Sequence, residues 1–157
     1  MKKIFFTSVT LALIALSSCG ENKAKEPSFA EQMAAESEAS EKEAASAELD
    51  NIGVGPISTI EFTEAINQTM ANKGKALFEE KCVACHKTNE KLIGPALAGV
   101  TERRNPAWIM NMILNPAEMI EKDAIAMRLM EEYKTPMLKQ DLTEEEAREV
   151  LEYFRTI

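Results

Sequence analysis

The apolar residues from about position 57 onward recur every three to four residues, the spacing of the buried face of an amphipathic helix. The Asn-Pro pair at 105–106 predicts a helix start, because an N-cap residue precedes a proline in the first turn, and the pair at 115–116 predicts its end. Thr143 and Glu146 form a capping-box pattern. No stretch alternates as a strand does, so the pattern predicts an all-α fold. The four expected helices are one that ends near Lys81, one between the two Asn-Pro pairs, one at 117–133 and one from Thr143.

The first 18 residues have the parts of an export signal. Lys2 and Lys3 give a positive start, and the mostly apolar run at 4–16 is too short for a bilayer span, which takes about 20 residues. Leu-Ser-Ser-Cys at 16–19 resembles the bacterial lipobox, which implies cleavage before Cys19 and acylation of that cysteine. A plain signal peptide with a chance cysteine is the alternative. The prediction is a lipoprotein signal peptide at 1–18 and a chain anchored by lipid on the periplasmic side of a bacterial membrane.

Residues 19–56 have the composition of a solvated tether. Between 21 and 50 there are nine acidic residues and three lysines, and only Phe29, Met33 and Leu49 are large and apolar. Such a stretch buries too little surface to offset the entropy of ordering it. Ala and Glu favour helix, so a weakly helical spacer is the alternative. A flexible chain of about 40 residues has a typical end-to-end distance of roughly 35 Å, enough to lift a domain at 57–157 clear of lipid headgroups.

Charge narrows the classes of partner. The chain carries a formal net charge of −8, and loss of Lys2 and Lys3 with the signal would make it more acidic. Binding to nucleic acid needs clustered positive charge, so nucleic acid is not an expected partner. Residues 73–91 differ, with five lysines against three glutamates. These lysines predict either a basic docking surface for an acidic partner or only a solvated helix face.

The sequence Cys-Val-Ala-Cys-His at 82–86 carries the most specific chemistry in the chain. Two thiols three positions apart can add to the two vinyl groups of a haem, and the adjacent imidazole can then bind the iron. A thioredoxin-like redox pair would need a preceding strand, which is not predicted. A structural zinc site would need four ligands, and no second cluster exists. The prediction is one covalent haem c, attached at Cys82 and Cys85, with His86 as an axial ligand.

The second axial position of the iron has several candidates. His86 is the single histidine, so two histidines of one chain cannot bind the iron, and a methionine, a lysine or an open site remains. A methionine thioether is a soft ligand that favours ferrous iron and raises the reduction potential. Met137 follows Pro136 in a loop, whereas most other methionines fall on helices and suit core packing. Met137 is the predicted iron ligand, and Met130 is its main rival.

From Gly74 to its end the sequence resembles the class I, mitochondrial-like cytochromes c. Gly-Lys-Ala-Leu-Phe at 74–78 matches that family's first helix, and Gly-Pro-Ala-Leu-Ala-Gly at 94–99 matches the loop behind the haem motif. Thr-Pro-Met at 135–137 resembles the loop of the ligand methionine, although Leu138 stands where many bacterial members have a second proline. The resemblance implies a small fold of four to five helices wrapped around one covalent haem.

The resemblance also implies roles for further residues. The carbonyl of Pro95 would accept a hydrogen bond from His86 and so orient the imidazole. Leu97 would pack on the haem, and Arg103 lies where the family places an arginine that binds a haem propionate. Trp108 is expected either to meet a propionate or to pack in the core.

Filled axial positions leave no room for a substrate at the iron, so the expected function is that of an electron carrier and not of an enzyme. The expected partners are redox proteins, with a quinol-oxidising complex as donor and a terminal oxidase or an anaerobic reductase as acceptor. The alternative is a haem-based sensor or a peroxidase-like domain, in which the sixth position of the iron is open or labile.

Overall fold

A computed structural model describes residues 28–157, so the predicted signal peptide and the lipidation site at Cys19 lie outside the described residues. Within that part of the chain there are helices and no strands, which confirms the all-α prediction. None of these helices is both long enough and apolar enough to cross a bilayer. The helices are α1 (Phe29–Asp50), α2 (Gln68–Lys81), α3 (Val100–Arg103), α4 (Pro106–Leu114), α5 (Pro116–Lys122), α6 (Ala124–Tyr133) and α7 (Glu144–Phe154).

The helix boundaries follow the capping residues. Asn105 caps α4, because its side-chain oxygen accepts a hydrogen bond from the Ala107 N–H at 2.9 Å. At the start of α7 both halves of the predicted capping box are present between Thr143 and Glu146. The first predicted helix ends at Lys81, as expected. Local sequence therefore sets where these three helices begin or end.

The single helix predicted at 117–133 is wrong, because Asp123 divides it into α5 and α6. The backbone of Asp123 is extended, with φ −99° and ψ 124°. Its buried carboxylate accepts hydrogen bonds from the Ala126 N–H at 2.9 Å, from Trp108 Nε1 at 2.9 Å and from Asn51 Nδ2 at 2.6 Å. These donors stabilise a break that the continuous apolar spacing of the segment does not reveal.

Helices α2 and α7 pack against each other at Gly74. A Cβ atom at this position would overlap the Glu149 carbonyl and come within 2.8 Å of the Val150 nitrogen. Beside this contact the buried ring of Phe78 packs against those of Tyr153 and Phe154, with centroid distances of 5.4 and 6.0 Å. The interface therefore depends on one residue without a side chain and on three aromatic rings.

The sequence predicted a solvated tether up to residue 56, whereas residues 51–57 pack against α4 and α5. The fully buried amide of Asn111 accepts a hydrogen bond from the Ile57 N–H at 2.9 Å and donates to the carbonyls of Ile52 and Ile57. The Val54 N–H lies 2.9 Å from the sulfur of buried Met119. We name residues 51–57 the N-terminal segment. Ile57 also belongs to the hydrophobic core and Val54 packs against it, so hydrogen bonds and apolar contacts together hold the segment.

Candidate functional site

A cavity of about 310 Å³ lies between the end of α2, the 93–97 loop, α4, α6, the 135–140 loop and α7. Its wall is mainly apolar and includes Ile109, Ile113 and Phe154. Every residue that the sequence predicted for the haem site within the described part of the chain lines this cavity. They are Cys82, Cys85, His86, Pro95, Leu97, Arg103 and Met137.

The haem motif begins where α2 ends. Cys82 is the C-cap residue of α2, and its carbonyl accepts hydrogen bonds from the N–H groups of Cys85 at 3.0 Å and His86 at 2.9 Å. This tight turn brings both thiols and the imidazole to the cavity. Burial, with a contribution from Cys85, raises the pKa of the Cys82 thiol to about 11, which is opposite to the depressed thiol pKa of dithiol oxidoreductases.

Among the side chains that the structure describes, no group of three or more His, Cys, Asp or Glu is placed to hold a metal ion. A structural zinc site needs four such ligands around one point.

His86 is oriented by the loop that follows it. Its Nδ1 lies 3.0 Å from the Pro95 carbonyl, the contact that the resemblance implied. Because a carbonyl only accepts, Nδ1 carries the proton, which leaves the lone pair of Nε2 free for a metal. Gly94 makes this arrangement possible: a Cβ there would come within 2.8 Å of Nδ1. The Gly94 N–H also donates to the Cys85 carbonyl at 2.8 Å, which holds the loop against the motif.

Three methionines line the cavity: Met112, Met130 and Met137. Met137 lies in the loop after α6, is half-buried and packs against the core. The loop begins at Lys134, whose left-handed backbone, with φ 55°, ends α6. Met130 is also half-buried and lies on the last turn of α6. Position at the cavity alone does not choose between Met137 and Met130, so the assignment of Met137 stays a prediction.

The guanidinium of Arg103 closes the 94–99 loop. It donates hydrogen bonds to the carbonyl of Ala98 at 2.5 Å and to that of Ala96 at 2.8 Å. Trp108 is buried and its Nε1 donates to Asp123. Of its two expected roles, packing in the core is therefore the one that the structure shows. The propionate role of Arg103 stays a prediction, although its side chain borders the cavity.

Arg104 and Tyr133 also border the cavity, and the sequence did not single them out. The guanidinium of Arg104 lies 5.7 Å from the centroid of the Trp108 ring, and the ammonium of Lys91 lies 4.1 Å from that of Tyr133. Burial raises the pKa of the Tyr133 hydroxyl, and the charge of Glu132 adds to the increase. The sequence feature that could have indicated Arg104 was the Arg-Arg pair at 103–104, directly before the Asn-Pro helix start.

The cavity fits a haem. Its apolar wall suits the macrocycle, and Lys81, Arg103 and Arg104 at its edge suit the two propionate carboxylates. Two thiols, an oriented imidazole and a thioether reach the same space, which is the donor set of a covalently attached haem with histidine and methionine available to the iron.

A family model described as cytochrome c matches residues 71–157. The chain belongs to the cytochrome c family. This match supports a class I monohaem cytochrome c, and members of the family bind a covalent c-type haem with its iron. They are generally electron carriers. The helix α1 and the N-terminal segment lie before the matched residues.

Solved structures of the family resemble this chain. Cytochrome c from Rhodothermus marinus is 43% identical, with a TM-score of 0.64 over 73% of this chain and 94% of that chain. An engineered form, Rma TDE, is 42% identical, with a TM-score of 0.64 over 73% and 95%. The same form bound to a carbene intermediate has a TM-score of 0.61 at 43% identity over 73% and 95%. A cytochrome c-553-like protein of Synechocystis sp. is 29% identical over 70 residues, which cover 41% of this chain and 67% of that protein.

Proposed function

We propose that this cytochrome c is a one-electron carrier whose iron is bound by His86 and Met137. The observation that carries the proposal is that the imidazole, oriented by the Pro95 carbonyl, and the Met137 loop line one cavity. The resemblance of Thr-Pro-Met at 135–137 to the family's ligand loop favours Met137 over Met130. Both axial positions of the iron would then be filled by this chain, which suits electron transfer without a substrate at the metal.

Each part of the site has a task in this function. The thiols of Cys82 and Cys85 attach the haem, and the hydrogen bond from His86 to Pro95 fixes the direction of the imidazole. The apolar wall, including Leu97, excludes water from the iron. The haem supplies the ferric and ferrous states, while the protein sets their relative stability by axial ligation and burial.

The chain is further proposed to be a periplasmic lipoprotein anchored through Cys19, which places electron transfer at a membrane surface. The proposed donor is a quinol-oxidising complex, and the proposed acceptor is a terminal oxidase or an anaerobic reductase. Cys19→Ser should abolish lipid labelling and release the protein from membranes. Because this change leaves the cavity untouched, the absorption spectrum and the reduction potential should stay the same.

A basic docking surface receives limited support from the contacts. Lys75, Lys81, Lys87 and Lys91 are exposed, but each is paired with a glutamate, at distances from 2.6 to 3.9 Å. Lys81 alone among them borders the cavity. Charge reversal at Lys81 should therefore slow association with an acidic partner more than reversal at Lys87, and the difference should shrink at high salt.

The test of the proposed function is ligand binding by the reduced full-length protein. Two filled axial positions predict slow, weak binding of carbon monoxide and a reversible one-electron titration. Fast and tight binding by the wild-type protein would contradict the proposal. It would favour the alternative of a sensor or peroxidase-like domain with an open or labile sixth position.

A further inference from the structure

One carboxylate, that of Glu48, holds the last turn of α1 at the rim of the cavity. It accepts hydrogen bonds from Arg104 Nη1 and from Arg128 Nη2, both at 2.5 Å. Beside it the Leu49 carbonyl accepts a hydrogen bond from Asn105 Nδ2 at 2.8 Å. The side chains of Glu48 and Arg104 are only 30% and 16% exposed. Water therefore screens this ion pair less than it screens one on an open surface.

The two arginines that bind Glu48 differ in position. Arg104 borders the cavity, packs its guanidinium over Trp108 and also donates to the Arg103 carbonyl at 2.6 Å. Arg128 is 63% exposed and does not line the cavity. Glu48 can therefore act on the haem through Arg104, whereas Arg128 only braces the carboxylate from the solvent side.

The charged residues that line the cavity are cations. They are Lys81, Arg103 and Arg104, and no Asp or Glu whose side chain the structure describes lines it. Arg103 donates to backbone carbonyls, which carry no net charge to offset its own. Lys81 pairs with an exposed glutamate. Glu48 is the shielded carboxylate that pairs with a cation at this edge. Low exposure reduces screening by water, so a charge here acts more strongly on the iron.

We propose that Glu48 is a positioning residue that holds Arg104 at the cavity and thereby lowers the reduction potential of the haem. This inference rests on the proposed function. The ferric iron carries one more positive charge than the ferrous iron, so a guanidinium that moves closer to the haem disfavours the ferric state. Without Glu48, the Arg104 guanidinium is free to move to a haem propionate and neutralise it, which favours the ferrous state.

The experiment is potentiometric titration of the full-length protein and of Glu48→Gln. The substitution should shift the reduction potential upward, and Arg104→Gln should shift it downward. In the Arg104→Gln background, Glu48→Gln should produce a smaller shift than it does in the wild type, because Glu48 acts through Arg104.

Two control variants separate this role from a general effect of charge or of helix packing. Glu36→Gln removes the same charge from an exposed position of α1, about 18 Å away along the helix axis at 1.5 Å per residue, and should leave the potential unchanged. Arg128→Gln removes the outer ion pair and leaves the bond from Arg104, so its shift should be smaller than that of Glu48→Gln.

An unchanged potential in Glu48→Gln would overturn the inference. Equal shifts in the wild-type and Arg104→Gln backgrounds would also overturn it, since Glu48 would then act as an independent charge. The mass of the attached haem and carbon monoxide binding are measured on the same samples. Loss of haem or tight binding in the wild type would mean that the proposed function has failed, whereas normal values with an unchanged potential would mean that only the role of Glu48 is wrong.

Discussion

The interface of α2 with α7 and the contact of the N-terminal segment with α4 and α5 are built on different principles. At the first, Gly74 brings two helix backbones together and aromatic rings fill the space beside it. At the second, Asn111 and Asp123 form hydrogen bonds with the N-terminal segment, whose Ile57 is buried in the core. The first contact depends on close backbone packing, whereas the second combines side-chain hydrogen bonds with the burial of Ile57.

The two regions therefore differ in which substitutions they tolerate. Close packing of backbones leaves no direction in which an added atom can move, so a single methyl group is costly. Where one side chain forms several hydrogen bonds to a segment, its removal leaves several buried polar groups without a partner. We therefore expect the free energy of unfolding to fall most at the α2–α7 interface and less at the N-terminal segment.

The largest effect is expected for Gly74→Ala. Because the new methyl group would overlap the backbone of α7 at Glu149, the helices must separate. The loss in the free energy of unfolding should exceed about 3 kcal/mol, above the usual range for overpacking. Denaturant unfolding measures it, with Lys75→Ala at the neighbouring exposed position as the control. A cost below that of the control would show that the close contact does not support the fold.

The next effect is expected for Glu152→Gln. The fully buried Glu152 binds Arg148 at 2.6 Å, Arg155 at 2.7 Å and the Asn67 N–H at 2.8 Å. Loss of the carboxylate leaves two shielded cations uncompensated, at a cost of about 3 kcal/mol. The exposed Glu145→Gln on the same helix is the matched control. Equal unfolding midpoints for the two variants would contradict this role of Glu152.

Glu152 also predicts a dependence of stability on pH. Burial raises the pKa of its carboxyl, but the hydrogen bonds and cations around it outweigh burial and hold the pKa below its ordinary value. Stability from this group is therefore fully present above the ordinary glutamate pKa of about 4.3 and is lost as the pH falls through the lowered one. In acid titrations Glu152→Gln should lose less stability than the wild type over that range.

A smaller effect is expected for Asn111→Ala in the N-terminal segment contact. The change leaves the Ile57 N–H and the carbonyls of Ile52 and Ile57 without their buried partner. The cost should be about 1–3 kcal/mol, and hydrogen exchange of the Ile57 amide should accelerate. Asn72→Ala, the same substitution at an exposed position, should do neither. Unchanged exchange at Ile57 would mean that other contacts hold the segment.

The same contrast explains which parts of the fold could be predicted from the sequence. Periodic apolar residues and capping motifs predicted α2, α4 and α7, because both are local signals that repeat or stand at fixed offsets. The break at Asp123 and the packing of the N-terminal segment depend on donors far away in sequence, such as Asn51 and Trp108. The spacing of apolar residues along a helix does not indicate such partners.

The residues of the site show the same difference between local and distant sequence signals. The haem motif is local, and the resemblance supplied the contact of His86 with Pro95 across nine positions. Arg104 was missed because its carboxylate partner, Glu48, lies 56 residues earlier in a segment expected to be solvated. Sequence therefore indicated which residues line the cavity better than which residues hold them in place.

The most direct test of the account is the ferric absorption spectrum of the wild type beside those of Met137→Ala and Met130→Ala. If Met137 binds the iron, the wild type shows a methionine–iron absorption feature that Met137→Ala lacks and Met130→Ala retains. The reduction potential of Met137→Ala should also fall, because the soft ligand that favours ferrous iron is gone. Loss of the feature in Met130→Ala instead would move the assignment to Met130. A wild type without the feature would contradict methionine ligation and the closed iron site of an electron carrier.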